Sequence, residues 1–323
     1  VSILLPHANR PTSALGFGGA YLAGGFDAAA SRRLVDVAYD AGFRHFDVAP
    51  AYGMGQAEDV LGAALRDKRD TVTIATKVGL ARPKAKLSSQ LIRAAAGPIR
   101  KVAPGLTRRL GTSMYQSTVA RGQFDVAFVA ASVAESLRRL KIEKIDLLLL
   151  HEARLEDLSD ELLSYLDKGR AEGLFGALGV ASTHDRVMAI AGSDRAAAFD
   201  VLQYSWSVLD VDAAIPGTDK FRITHRAIMR ALGPVKAWIE ADPRTGAALS
   251  QAVGLDLGAG ENLSNVLLGA ALATNPTGIC LVGSRNAGRI RANAAAMSDP
   301  ALVEAGRRLV KAFSERPDRP LAA

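Results

Sequence analysis

The chain has 323 residues, 49% of them hydrophobic, a single cysteine (Cys280) and a formal net charge of +7. That length can bury one large core or two ordinary ones, one cysteine excludes an internal disulfide and a cysteine-based zinc site, and no apolar run approaches the roughly 18–20 residues that span a bilayer. Val1–Leu5 lacks the charged n-region and cleavage site of a secretory signal, so a soluble, cytoplasmic protein without membrane contact is expected.

Read for period, short β-rich runs alternate with longer amphipathic ones. A first strand is expected near Ala14–Phe17, and helical spacing over Ser31–Ala41 stops at Gly42. Arg44–Val48 reads as a strand, Gln56–Arg66 as a helix and Thr71–Lys77 as the next strand. From Gly79 to Phe124 there is no acid but nine bases, among them Arg82, Lys84, Lys86, Arg108, Arg109 and Arg121. Such a segment is either a solvated insertion or a means of steering an anionic substrate, a cofactor phosphate or an acidic partner. Nucleic acid is not expected, because the bases are scattered and only Tyr115 and Phe124 offer aromatic surface.

Val126–Leu140 is helical, with Val126, Val129, Val133, Leu137 and Leu140 on one face. Ile145–Leu150 reads as a strand buried on both faces, Ser159–Glu172 as a helix, Phe175–Val180 as a strand and Arg186–Ala191 as a short helix. Strands follow at Val201–Tyr204, Phe221–Thr224 and Thr277–Val282, with a partly helical stretch over Gly233–Gly260. Eight βα units fit a (β/α)8 TIM barrel in a single domain over 1–316, with 81–123 as a long basic insertion after the third strand and 317–323 as a flexible tail. An open doubly wound sheet would need Gly16-Phe17-Gly18-Gly19-Ala20-Tyr21 as its phosphate fingerprint, which lacks the third glycine. Ala81–Gln123 and Ser205–Asp219 exceed the usual connection of roughly 2–6 residues, and long loops on that face of a barrel build or cover its site.

Four chemically complementary groups fall just past strand ends: Asp47, Tyr52, Lys77 and His151. A phenol with a free pKa of about 10 exchanges protons poorly at neutral pH. A nearby ammonium favours phenolate, so Lys77 can tune Tyr52 while Asp47 holds the lysine. His151 can orient a carbonyl or stabilise a developing oxyanion. The four do not have metal-ligand spacing, and neither a Gly-x-Ser-x-Gly elbow nor a His-Glu-x-x-His helix occurs, so metal-free chemistry is expected.

Phe43-Arg44-His45-Phe46-Asp47-Val48-Ala49-Pro50-Ala51-Tyr52-Gly53, followed by Glu58-Asp59-Val60-Leu61-Gly62, resembles the signature of the aldo-keto reductases. Ala75-Thr76-Lys77 resembles the lysine strand of that family, and Ile145-Asp146-Leu147-Leu148-Leu149-Leu150-His151 its histidine strand. The resemblance implies a barrel that reduces aldehydes or ketones with a nicotinamide coenzyme, with Asp47, Tyr52, Lys77 and His151 on the catalytic tetrad and Tyr52 as general acid. It also places Gly18, Ser182, Gln203, His225, Gly283, Ser284, Arg285, Arg289 and Asn293 at the coenzyme. Ser182 and Gln203 match carboxamide positions, although Ala181 stands where a serine is usual. His225 replaces a stacking tyrosine, Ser284 and Arg289 match the holders of a 2′-phosphate, and Asn293 matches the adenine contact. Gly283 stands for a lysine and Ala292 for a glutamate, and Arg285 is a substitute cation. NADP(H) is expected ahead of NAD(H), with a small carbonyl or alcohol substrate and a monomer or weak homo-oligomer.

Arg121-Gly122-Gln123-Phe124-Asp125 and Arg222-Ile223-Thr224-His225 resemble the sugar and pyridoxal dehydrogenase subgroup, which leaves the oxidative direction open. A cofactor-binding regulatory subunit that docks a partner through the basic insertion, and a metal-free lyase or isomerase, are the other readings.

Overall fold

A computed structural model describes residues 2–23, 27–83, 122–214 and 219–321. The chain opens with a two-stranded antiparallel hairpin, β1 (Ser2–Leu4) and β2 (Pro11–Ser13), with Ser2 opposite Ser13. The hairpin has no counterpart among the expected elements, because its two short strands are not followed by the amphipathic helix that marks a βα unit. Leu5, just past β1, is fully buried with the inward side chains of the barrel, so the hairpin plugs its N-terminal end.

Eight parallel strands follow: β3 (Leu15–Gly18), β4 (His45–Asp47), β5 (Thr73–Val78), β6 (Ile145–His151), β7 (Phe175–Ala181), β8 (Val201–Ser205), β9 (Phe221–His225) and β10 (Ile279–Val282). Each pairs with its neighbour in sequence, and β10 pairs with both β9 and β3, which closes the barrel. The expected (β/α)8 architecture is therefore present, strand by strand. Successive side chains on a strand point to opposite faces. Ala75, Leu147, Leu149, Ala177, Val201, Ile223 and Ile279 fill the interior, while Phe17, Phe46, Ile74, Leu148, Leu178 and Leu202 pack outward.

The outer layer comprises α1 (Ala28–Asp40), α2 (Ala57–Ala64), α3 (Val126–Leu140), α4 (Asp160–Ala171) and α5 (His184–Ala191). It continues with α6 (Ala227–Ala241), α7 (Pro243–Val253), α8 (Asn262–Thr274), α9 (Ala287–Met297) and α10 (Pro300–Ser314). Their ends follow local chemistry: Asp125 accepts from the Phe128 N–H at 2.8 Å to start α3, and Ser159 accepts from Leu162 at 3.2 Å to start α4. The stretch expected to be partly helical, Gly233–Gly260, holds the end of α6 and all of α7. They divide at Asp242, which caps α7 ahead of Pro243 in its first turn.

Residues 84–121, most of the basic insertion, lie outside the described residues, as do 215–218 of the loop after β8. The insertion leaves and returns at one point. The Gln123 N–H donates to the Gly79 carbonyl at 3.1 Å, and the buried Phe124 ring packs against Gly79. Past Pro317, where fraying is expected, Arg319 pairs with Asp212 and donates to the Arg316 carbonyl at 2.8 Å. Among the described residues no helix is long and apolar enough to cross a membrane.

Asp146, inside the otherwise apolar run of β6, locks the N-terminal end of the barrel. Its carboxylate takes Arg10 at 2.6 Å, Arg69 at 2.9 Å and the Ile74 N–H at 2.8 Å, and it is 9% exposed. Truncation would leave two cations and a buried N–H unmatched. Asp146→Ala is expected to lower unfolding free energy by about 3 kcal/mol in urea titration.

Candidate active site

The same two-residue alternation that fills the barrel also aims its rim. Lys77 is the next inward position after Ala75, His151 after Leu149, Gln203 after Val201 and His225 after Ile223. Each core residue is thus followed, two residues on, by a polar group where the strand reaches the C-terminal mouth. Asp47 ends β4, and its strand pairs directly with β5, which carries Lys77.

Lys77 and Asp47 form an ion pair that is 2% and 3% exposed. The Gln203 amide donates to the same Asp47 oxygen, Oδ2, at 2.9 Å. Burial pushes the Lys77 ammonium below the ordinary lysine range, and the charge of Asp47 pulls it back. Gln203, read from sequence as a carboxamide partner only, therefore belongs to the acid–lysine cluster as well.

Tyr52 rises from a short turn, Tyr52–Gly55, that follows β4. Gly53 there has φ +57°, and a Cβ on it would sit 2.2 Å from the Leu22 carbonyl, so glycine alone lets the turn close. The Tyr52 ring centroid lies 6.0 Å from Lys77 Nζ. The ring meets His151 edge-on, with centroids 6.0 Å apart and planes at 89°. On its far side the turn is tied down by Arg82, which donates to the Gly55 carbonyl at 2.6 Å and pairs with Glu58. Glu58 is fully buried and also accepts from Thr76 Oγ1 at 2.6 Å, one residue before Lys77. Arg82, counted from sequence among the nine bases of a steering or solvated segment, is instead committed to holding the tyrosine turn against β5.

A cleft of about 550 Å³ opens over these groups. Asp47, Tyr52, Lys77 and His151 line it together with Gly18, Ser182, Gln203, His225, Gly283, Arg289 and Asn293. Ser284 and Arg285 stand on the adjoining loop but outside that lining. Ser284 Oγ accepts from the Asn286 N–H at 3.0 Å, and the Arg285 guanidinium lies over the Tyr21 ring, 5.7 Å from its centroid. Gly283 also explains the missing lysine. A Cβ there would approach the Gly18 carbonyl to 2.8 Å and the Tyr21 ring to 3.3 Å, so the backbones can close up only without a side chain.

The wall suits a dinucleotide. Ser182 Oγ is buried and has no hydrogen-bond partner among the described residues, a vacancy that an amide would fill. Desolvation, then the charge of Arg226, holds the His225 imidazole down to about 4, so its ring is neutral and flat at pH 7. Arg289 offers a guanidinium at one end, and Asn293 is 5% exposed beside it on α9. Tyr21, Arg226 and Met229 also line the cleft, and the sequence reading gives none of them a role in the barrel's site. Arg226 directly follows His225 at φ +65° before α6, so its signal was adjacency to a residue already singled out.

Residues 14–215 match the family model described as the aldo/keto reductase family. D-threo-aldose 1-dehydrogenase from a Pseudomonas species is 36% identical over 177 residues, which is 52% of this chain and 50% of that protein. Pyridoxal 4-dehydrogenase from Microbacterium luteolum is 35% identical over 146 residues, 43% of this chain and 40% of that one. The chain thus spans half or less of the length of the curated relatives it matches. The structure of the glycerol dehydrogenase from Gluconobacter oxydans shares the fold, with a TM-score of 0.69 at 20% identity over 100% of this chain and 98% of the other.

Proposed function

The chain belongs to the aldo/keto reductase family of oxidoreductases, and from that premise we propose that its cleft exchanges hydride with a small aldehyde or ketone, or with the corresponding alcohol. The coenzyme, a nicotinamide dinucleotide, supplies or accepts that hydride when bound. In reduction Tyr52 donates its phenolic proton to the carbonyl oxygen, and in oxidation the phenolate takes it back. The Lys77 ammonium stabilises the phenolate, Asp47 holds that ammonium in place, and Gln203 in turn anchors Asp47. His151, edge-on to the phenol, orients the oxygen and donates to the charge that develops on it. The observation that carries this reading is the buried Asp47–Lys77 pair lying under the Tyr52–His151 contact on the wall of one cleft.

Ser182 and Gln203 would hold the carboxamide, His225 would stack on the nicotinamide face, and Asn293 would meet the adenine. Arg289, with Ser284 from the loop beside it, would take a 2′-phosphate, which supports the use of NADP(H). Fluorescence titration of the protein with NADPH and NADH tests the coenzyme directly, and absence of binding by either would refute the proposal. Arg289→Ala is expected to weaken NADPH about 10-fold or more and NADH by less than about threefold, read from the same titrations. Equal losses would remove 2′-phosphate recognition from Arg289.

The curated relatives favour a second reading for direction. Both carry dehydrogenase names, one for an aldose and one for pyridoxal, so oxidation of a sugar or of a hydroxymethyl or aldehyde group is an alternative to carbonyl reduction. Initial rates with NAD(P)+ and an aldose, set against NAD(P)H and a matched carbonyl, separate the two.

A further inference from the structure

Arg289 does not stand alone at the end of the coenzyme cleft. Its guanidinium Nη2 is paired at 3.0 Å with Glu261, the residue that precedes α8. Arg289 also lines a second cavity of about 570 Å³, and Glu261 lines that second cavity and not the coenzyme cleft. Arg289 thus borders both spaces, and its carboxylate partner borders the second. Arg289 and Glu261 are 42% and 53% exposed, so the pair opens at little cost. Its consequence is electrostatic rather than steric. The cation read as the holder of a doubly charged phosphate has part of its charge cancelled before the phosphate arrives, and the carboxylate repels that phosphate.

Resting on the assignment of Arg289 to the 2′-phosphate, we propose that Glu261 is a specificity-determining residue that lowers the preference for NADPH and so admits NADH. Local structure permits a clean test. The Glu261 side chain makes no capping bond to α8, and only its backbone carbonyl is used, accepting from Ser264 Oγ at 2.8 Å. Glu261→Gln therefore removes the charge while retaining shape and helix start.

Dissociation constants of NADPH and NADH, measured by fluorescence titration at low salt, are expected to respond unequally to this substitution. NADPH should tighten about three- to tenfold and NADH should stay within about twofold, the range that one exposed pair and one added repulsion allow. The gain should shrink at about 0.5 M salt, where charges are screened within a few ångströms. It should also fall to the smaller part that direct repulsion supplies when Glu261→Gln is placed on Arg289→Ala. Equal changes for both coenzymes, or an unchanged NADPH constant at low salt, would overturn the proposal. With the Glu261 role overturned in that way, a selective NADPH loss in Arg289→Ala would still leave the phosphate site standing. If Arg289→Ala weakens both coenzymes equally, the phosphate site itself is wrong.

Discussion

Tyr52→Phe is expected to lower kcat by about 10²–10⁴-fold, the range that a positioned acid or base contributes, while coenzyme dissociation constants stay within about twofold. The substitution removes one oxygen and keeps the ring, so the edge-on contact with His151 and the turn at Gly53 persist. Coenzyme binding should be retained because the residues proposed to hold the dinucleotide are Ser182, His225, Arg289 and Asn293, and the phenol is not among them. Steady-state kinetics in both directions beside a coenzyme titration is the measurement. Full turnover in the variant would remove Tyr52 from the proton path. A loss of coenzyme binding in step with activity would instead assign it a structural role.

The fold was legible because a closed parallel barrel repeats one signal eight times. A short apolar strand ends in a polar or glycine-rich loop, and an amphipathic helix follows. The positions of Asp47, Lys77 and His151 were legible for the same reason, since Asp47 and His151 end such strands and Lys77 stands one residue before the end of its own. What escaped reading has physical causes. α8 is buried around most of its circumference, with nine enclosed residues, so it lacks the one-sided spacing that marks a surface helix. α10 does have that spacing, with Ala305, Leu309 and Phe313 inward, but it follows the last strand and adds nothing to the count of βα units. The structural use of Arg82 depends on Glu58, 24 residues earlier, and a charge count cannot reveal which bases are already paired. The Arg289–Glu261 pair joins two segments that no periodicity connects.

The cluster beneath Tyr52 carries the second large expectation, because the proposed function gives Lys77 a part in chemistry beside its buried ion pair. Lys77→Met keeps roughly the same length of side chain but leaves the Asp47 carboxylate buried, with the Gln203 amide as its remaining bond from the cluster. Removing one member of a buried pair costs about 3–5 kcal/mol, so a fall of about 3 kcal/mol in unfolding free energy is expected in urea titration. Turnover should fall about 10²–10³-fold as well, since the phenol loses the charge that favours its ionised form. The sign of the pH effect follows. Without the ammonium the phenol holds its proton to higher pH, so alcohol oxidation, which needs phenolate, should move its rising limb to more alkaline pH. The double variant Lys77→Met with Asp47→Asn separates the two roles. It removes both charges, and stability should recover by most of the lost amount, because no buried ion is left unmatched. Turnover should not recover, because the ammonium is still missing. Recovery of both together would mean that Lys77 acts only by holding the fold, and the tuning role would be withdrawn.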